Sequence, residues 1–217
     1  MIREGDHYWV DHVTVTGNKS NDGITIGQGS KGDSSSSEVT ISNYKTYNTT
    51  YAVLGGGENE IVNYPPYRVT IHSSSLGASD RNPKIKNFGT AHVFNNHIHS
   101  FQFSGITAGA NSQVLSENNV FSAENANNPD STVIGHTKNG GVSGVTYSNN
   151  DLYLDSAGWR GDVRFGSQES FPIPYTYTLK DVNEVVRDVL ANAGAEGVNY
   201  ENSASCQTYT QSYTHLQ

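Results

Sequence analysis

Short runs of alternating apolar and polar residues recur along the chain, and each ends in a polar bend. Trp9-Val10-Asp11-His12-Val13-Thr14-Val15 is the first. Val39-Thr40-Ile41-Ser42-Asn43, Val69-Thr70-Ile71-His72 and His92-Val93-Phe94-Asn95-Asn96 follow, then the run from Val114 to Phe121 and Val145-Thr146-Tyr147-Ser148-Asn149-Asn150. Val39 and Val69 are 30 residues apart, Asn96 and Asn119 are 23 apart, and Asn119 and Asn150 are 31 apart. Each interval is the length of one solenoid coil of three short strands, with a loop insertion in the longer ones. An antiparallel sandwich would instead place hairpin signals every ~8–12 residues. The recurrence predicts an all-β parallel solenoid.

The paired asparagines fit that architecture. Asn tolerates the left-handed backbone of a sharp bend. Its amide can also bond to the Asn of the next coil, so a buried column of polar groups satisfies itself. Only one segment reads as a helix, about 178–193. Thr178 is placed to cap it, and Asp181 falls in its first turn. Leu179, Val182, Val185, Val186, Val189 and Leu190 form one stripe, and Gly194 ends it. The stripe is expected to dock on the side of the solenoid. The parallel β-helix is assigned to residues 1–158, and a strap, helix and polar tail to 159–217. Gly27 to Ser37 reads as a loop, 159–177 with Pro172 and Pro174 as an extended strap, and Cys206 to Gln217 as a polar tail.

Composition supports this reading. Of 217 residues only 34% are hydrophobic and 16% charged, with 22 glycines, too little apolar bulk for a helix-bundle core. The net charge of -8 argues against nucleic acid or an anionic membrane as partner, although a local cluster of cations can still hold an acidic glycan. No run approaches the ~18 apolar residues that span a bilayer. Cys206 is the only cysteine, so no intramolecular disulfide forms, and Met1 to His12 contains no apolar signal core. His92, His97 and His99 are expected to be stacked solenoid histidines, since no Cys or carboxylate cluster accompanies them to make a zinc site. Gly55-Gly56-Gly57 lacks the Lys-Ser/Thr of a phosphate loop and reads as a turn.

Two stretches carry a family likeness. Trp9-Val10-Asp11-His12, and Asp80-Arg81-Asn82-Pro83-Lys84-Ile85-Lys86-Asn87-Phe88-Gly89 followed by His92-Val93-Phe94-Asn95-Asn96, resemble the pectate lyase family. That family has a Trp-[Ile/Val]-Asp-His strand, then Arg-x-Pro-x-x-Arg running into Gly, then His-x-[Tyr/Phe]-Asn-Asn. Val69-Thr70-Ile71-His72 is similar to the coil preceding the arginine motif, and the likeness runs from about residue 8 to residue 155. The resemblance implies a single-stranded right-handed parallel β-helix and an extracellular enzyme that cleaves polygalacturonate by β-elimination, usually with calcium. It implies that Arg81 is the catalytic base, and that Lys86, standing where the family has a second arginine, grips a substrate carboxylate with Lys84 beside it.

The chain also departs from the family. Asn21, Thr25 and Gly27 occupy the places of two calcium carboxylates and a lysine, Thr50 replaces a substrate-binding lysine, and Asp22 is left as the one metal candidate. Two further calcium aspartates would precede Met1. A strong calcium site is therefore not expected. By the family pattern the first coils and any signal peptide are absent from this chain, which predicts an open end and a monomer or weak association through it. The expected partner is an acidic polysaccharide. Two alternatives stand beside the lyase: a β-helix that binds acidic glycan without cleaving it, and a purely structural solenoid.

Overall fold

A computed structural model describes residues 2, 5–27, 38–56, 67–87, 89–109, 111–123, 132–135, 144–154, 162–166 and 170–195. Residues 28–37 of the expected 27–37 loop, Gly57, residues 159–161 and 167–169 of the strap, and the tail from Cys206 lie outside them.

The strands wind in coils. The first holds β1 (Tyr8–Asp11), β2 (Thr14–Thr16) and β3 (Ile24–Ile26). The second holds β4 (Glu38–Ser42), β5 (Lys45–Tyr47) and β6 (Val53–Gly55), and the third β7 (Arg68–His72), β8 (Ser75–Gly77) and β9 (Lys84–Ile85). β10 (Thr90–Phe94), β11 (His97–His99) and β12 (Ser104–Ala108) form the fourth, and β13 (Gln113–Glu117), β14 (Val120–Ser122) and β15 (Thr132–Gly135) the fifth. β16 (Val145–Asn149), β17 (Leu152–Tyr153) and β18 (Asp162–Phe165) complete the series. Among the described residues, equivalent strands stack into three sheets of seven, six and five strands, and their pairings are parallel. Alternate residues turn inward. Val10, Ile41, Ile71 and Val93 stand in one column of the register, and the last three are fully buried in a single apolar core.

The bend from the seven-stranded to the six-stranded sheet is sharp. Its first residue is left-handed in each coil: His12, Asn43, Ser73, Asn95, Asn118 and Asn150, with φ between 47° and 55°. The second residue makes the ladder. Tyr44 N–H donates to Ser74 Oγ (3.0 Å), Ser74 N–H to Asn96 Oδ1 (2.9 Å), Asn96 N–H to Asn119 Oδ1 (2.9 Å) and Asn119 N–H to Asp151 Oδ1 (2.8 Å). The spacing from Asn119 to Asn150 is therefore one residue short of the true register. Asn150 takes the left-handed place, and Asp151 ends the column because a carboxylate oxygen accepts the same N–H that an amide oxygen would.

The helix α1 (Val182–Asn192) starts later than the apolar stripe suggests. Asp181 is the cap, accepting from Asn183 N–H at 3.0 Å. Thr178 and Lys180 are held extended because the bend asparagines take their backbone. Asn95 Nδ2 donates to Thr178 O (2.9 Å), Lys180 N–H donates to Asn95 Oδ1 (3.0 Å), and Asn118 Nδ2 donates to Lys180 O (2.6 Å). Leu179, left outside the helix, is 39% exposed. Val185, Val186 and Val189 dock on Val120, with Leu152 and Leu154 alongside. Gly194, with φ +107°, ends the element and donates to Asn43 O at 2.7 Å. No described helix is long and apolar enough to cross a membrane.

Candidate active site on the five-stranded wall

Strand alternation fixes which side chains line the outside of the five-stranded sheet. In β9 the fully buried Ile85 faces the core, so Lys84 faces outward, in register with Leu54 and Thr107. Just before β9 the chain is locked by Asn82, which accepts from Ala78 N–H (2.8 Å) and donates back to Ala78 O (3.0 Å). That closure sets Arg81 against the coil below, where it forms a parallel bridge with Tyr51 and accepts Ala52 N–H at 3.0 Å.

The Arg81 side chain is nearly buried, the residue being 8% exposed. Its Nη1 donates to Asp80 Oδ2 and reaches the Tyr51 hydroxyl at 3.5 Å. The guanidinium carbon lies 5.7 Å from the Tyr51 ring centre and 5.9 Å from that of Phe103. Its Nε has no acceptor among the described residues, an expensive state for a buried donor. Lys84 Nζ lies 5.1 Å from the centre of the same Tyr51 ring. The structure thus brings Arg81 and Lys84 onto one aromatic side chain. Lys86, one residue past β9, is 4% exposed; its backbone N–H donates to Gly55 O at 3.2 Å and its carbonyl accepts the Tyr67 hydroxyl at 2.7 Å.

The Tyr51 phenol is pushed up, first by burial and then by the Asp80 carboxylate, with Asp22 adding to the effect and Arg81 opposing it. It remains a neutral hydroxyl at ordinary pH. Asp22 therefore stands near this wall; Asn21, in the place of a calcium carboxylate, and Thr50, in the place of a substrate-binding lysine, join neighbouring coils. Thr50 N–H donates to Asn21 O (2.8 Å), and Thr50 Oγ1 donates to Lys19 O (3.2 Å). Among the described residues no three His, Cys, Asp or Glu side chains gather to hold a metal ion. Asp22 and an Asp80 already paired with Arg81 fall short of the roughly six to eight oxygens calcium takes. These side chains do not make a calcium cage by themselves.

Tyr51, Asp80 and Phe103 belong to this site, and sequence reasoning did not single them out. One signal was available: Tyr51 precedes Arg81 by 30 residues, the same interval as Val39 to Val69. A second polar network lies on the seven-stranded sheet under the strap. His92 Nε2 meets Glu117 Oε2 (2.9 Å), His92 Nδ1 meets the Tyr175 hydroxyl (2.8 Å), and the Tyr177 hydroxyl donates to Glu117 Oε2 (2.8 Å). Its groups satisfy one another and tie the strap down. His97 and His99 are buried on β11, their Nε2 atoms 3.1 Å from Ser122 Oγ and 2.9 Å from Ser75 Oγ, with ring centres 4.5 Å apart. They stack as solenoid residues do.

The profile of the family described as pectate lyase matches residues 1–198. The chain belongs to the pectate lyase family. Its relatives include pectate lyase E of Dickeya dadantii, 28% identical over 89% of this chain and 54% of the relative, and a pectin lyase of Pectobacterium carotovorum, 30% identical over 90% and 60%. This pectate lyase family member thus spans a little over half the length of those relatives. Its fold is the right-handed parallel β-helix of solved pectate lyases. A Bacillus pectate lyase in complex with trigalacturonate matches with a TM-score of 0.64 at 18% identity, covering 89% of this chain and 61% of the other. The major allergen from cedar pollen matches with 0.61 at 22%, covering 88% and 54%.

Proposed function

We propose that the protein is a polysaccharide lyase that cleaves a uronate-containing glycan, polygalacturonate first among them, by β-elimination. The observation that carries this reading is the pairing, in a pectate lyase family member, of a buried Arg81 whose Nε lacks an acceptor with Lys84 on a shared aromatic side chain. The relatives are pectate and pectin lyases, and one matched structure holds trigalacturonate.

In this reading Arg81 takes the proton α to the uronate carboxylate. The C–H electron pair becomes the new C=C bond, the bond to the 4-linked oxygen breaks, and that oxygen takes a proton from solvent water as it leaves. Lys84 binds a carboxylate of the chain as a compact cation rather than a bidentate fork, and the nearly buried Lys86 joins it only by turning its ammonium outward. A guanidinium acts as a base only from its neutral form; neighbouring cations work toward that form and a neighbouring carboxylate against it. The base role therefore requires Asp80 to be drawn off Arg81 when glycan binds. Secretion belongs to the same reading.

The Asp80–Arg81 ion pair favours a second reading, in which the wall binds acidic glycan without cleaving it. Ultraviolet absorbance of the conjugated, unsaturated uronate product separates the two. Polygalacturonate, methylated pectin and other uronans are each incubated with protein, with calcium and with chelator. A rise in absorbance on at least one uronan is expected. Retained binding with no rise on any of them selects the second reading.

A further inference from the structure

Tyr51 has no part in the chemistry above, yet the cations of the site meet on it. Its backbone is fixed by the bridge to Arg81 in the next coil. Its ring takes the Arg81 guanidinium at 5.7 Å and the Lys84 ammonium at 5.1 Å. Its hydroxyl stands within reach of Arg81 Nη1 and interacts with the Asp80 carboxylate. Two like charges this close repel, and a lysine stem is long and flexible. The electron-rich face of an aromatic ring offsets both effects, since each cation is drawn to a defined place on it.

We propose that Tyr51 is a positioning residue that sets where the Arg81 guanidinium and the Lys84 ammonium stand on the wall, and so how the carboxylates of an acidic glycan are gripped. The proposal rests on the reading of this wall as a uronan site. Tyr51 touches no reacting atom in it and acts through the two cations. A tyrosine that merely filled space would change stability when replaced and leave carboxylate binding alone.

The test uses the full chain, its Y51F, Y51L and K84A variants and the Y51L/K84A double variant. In the absence of glycan, the Lys84 ε-methylene protons are expected upfield of their free-lysine position in the wild type and in Y51F, because both keep the ring, and back at that position in Y51L. Titration with trigalacturonate is expected to show about tenfold weaker binding for Y51L, the scale of one partly desolvated cation–ring contact. Y51F should bind within about threefold of wild type, and adding Y51L to K84A should weaken binding by less than Y51L does alone, the mark of two residues acting as a unit. Unshifted Lys84 protons in the wild type overturn the proposal. So do additive losses in the double variant, or a Y51F loss equal to that of Y51L. If the wild type binds no uronan, the reading of the wall fails, and the Lys84 resonance alone decides whether Tyr51 holds the cation.

Discussion

Arg81→Lys is expected to lower the rate of unsaturated-product formation by about a hundred- to ten-thousandfold, the span over which a positioned acid or base contributes. Lysine keeps the positive charge but loses the planar fork that reaches Asp80 and Tyr51. Glycan affinity should therefore fall much less than rate, because Lys84 still supplies a cation. Steady-state kinetics on the best uronan, beside a direct binding titration, separate the two quantities. A rate within about threefold of wild type would remove Arg81 from the chemistry, since a true base costs far more when replaced.

Stability should decline steadily once the pH falls below about 6.5, the value for an unperturbed histidine. Burial holds His97 well below its ordinary value and His99 at about 3, where the Lys45 charge also contributes. Both rings are neutral in the fold, whereas in the unfolded chain they take up protons below 6.5. Each therefore costs about 1.4 kcal/mol of stability per pH unit as the solution becomes more acid. Asp151 runs the other way. Burial pushes its carboxyl up to about 6, against the hydrogen bonds from Ser116, Asn119 and Ser148. The fold binds that proton more readily than the unfolded chain, so Asp151 returns about 1.4 kcal/mol per unit as the pH falls from about 6 to 3.8. The losses outweigh the one gain, and His72, also held low by burial, adds to them, so stability falls on balance between pH 6 and 4.

Asp151→Asn separates these contributions. Asparagine continues the ladder, removes the buried negative charge at neutral pH, and deletes the acid-side gain. The variant is expected to be more stable than wild type at pH 7.5 and to lose stability more steeply between pH 6 and 4, by about 1.4 kcal/mol per unit. Chemical denaturation at a series of pH values reads both slopes. Equal slopes for the two proteins would mean that Asp151 is not the buried acid at the end of the column.

The solenoid was legible because its physics repeats. One coil buries its inward face only on its neighbours, so the alternation of Val39-Thr40-Ile41 returns at Val69-Thr70-Ile71 with the same phase. The turn asparagines were legible for the same reason, while the last register was not: Asn149-Asn150 mimics the earlier pairs, and only coordinates show Asp151 taking the amide's place. Helix α1 begins at Val182, past the first residue of its apolar stripe, because Asn95 and Asn118, far away in sequence, hold the backbone of Thr178 and Lys180. Arg81 and Lys84 were picked out by motif. Tyr51 and Phe103 come from neighbouring coils, and a motif confined to one coil is blind to what stacks above and below it.

In the proposed reading an acidic glycan lies on the outer wall of the five-stranded sheet, across Tyr51, Arg81 and Lys84. Amide chemical-shift mapping during titration with trigalacturonate reads that place directly. Perturbations are expected to cluster at Tyr51, Asp80, Arg81, Lys84 and Phe103. A cluster on the seven-stranded sheet around His92 and Glu117, with the Arg81 wall unmoved, would contradict the account.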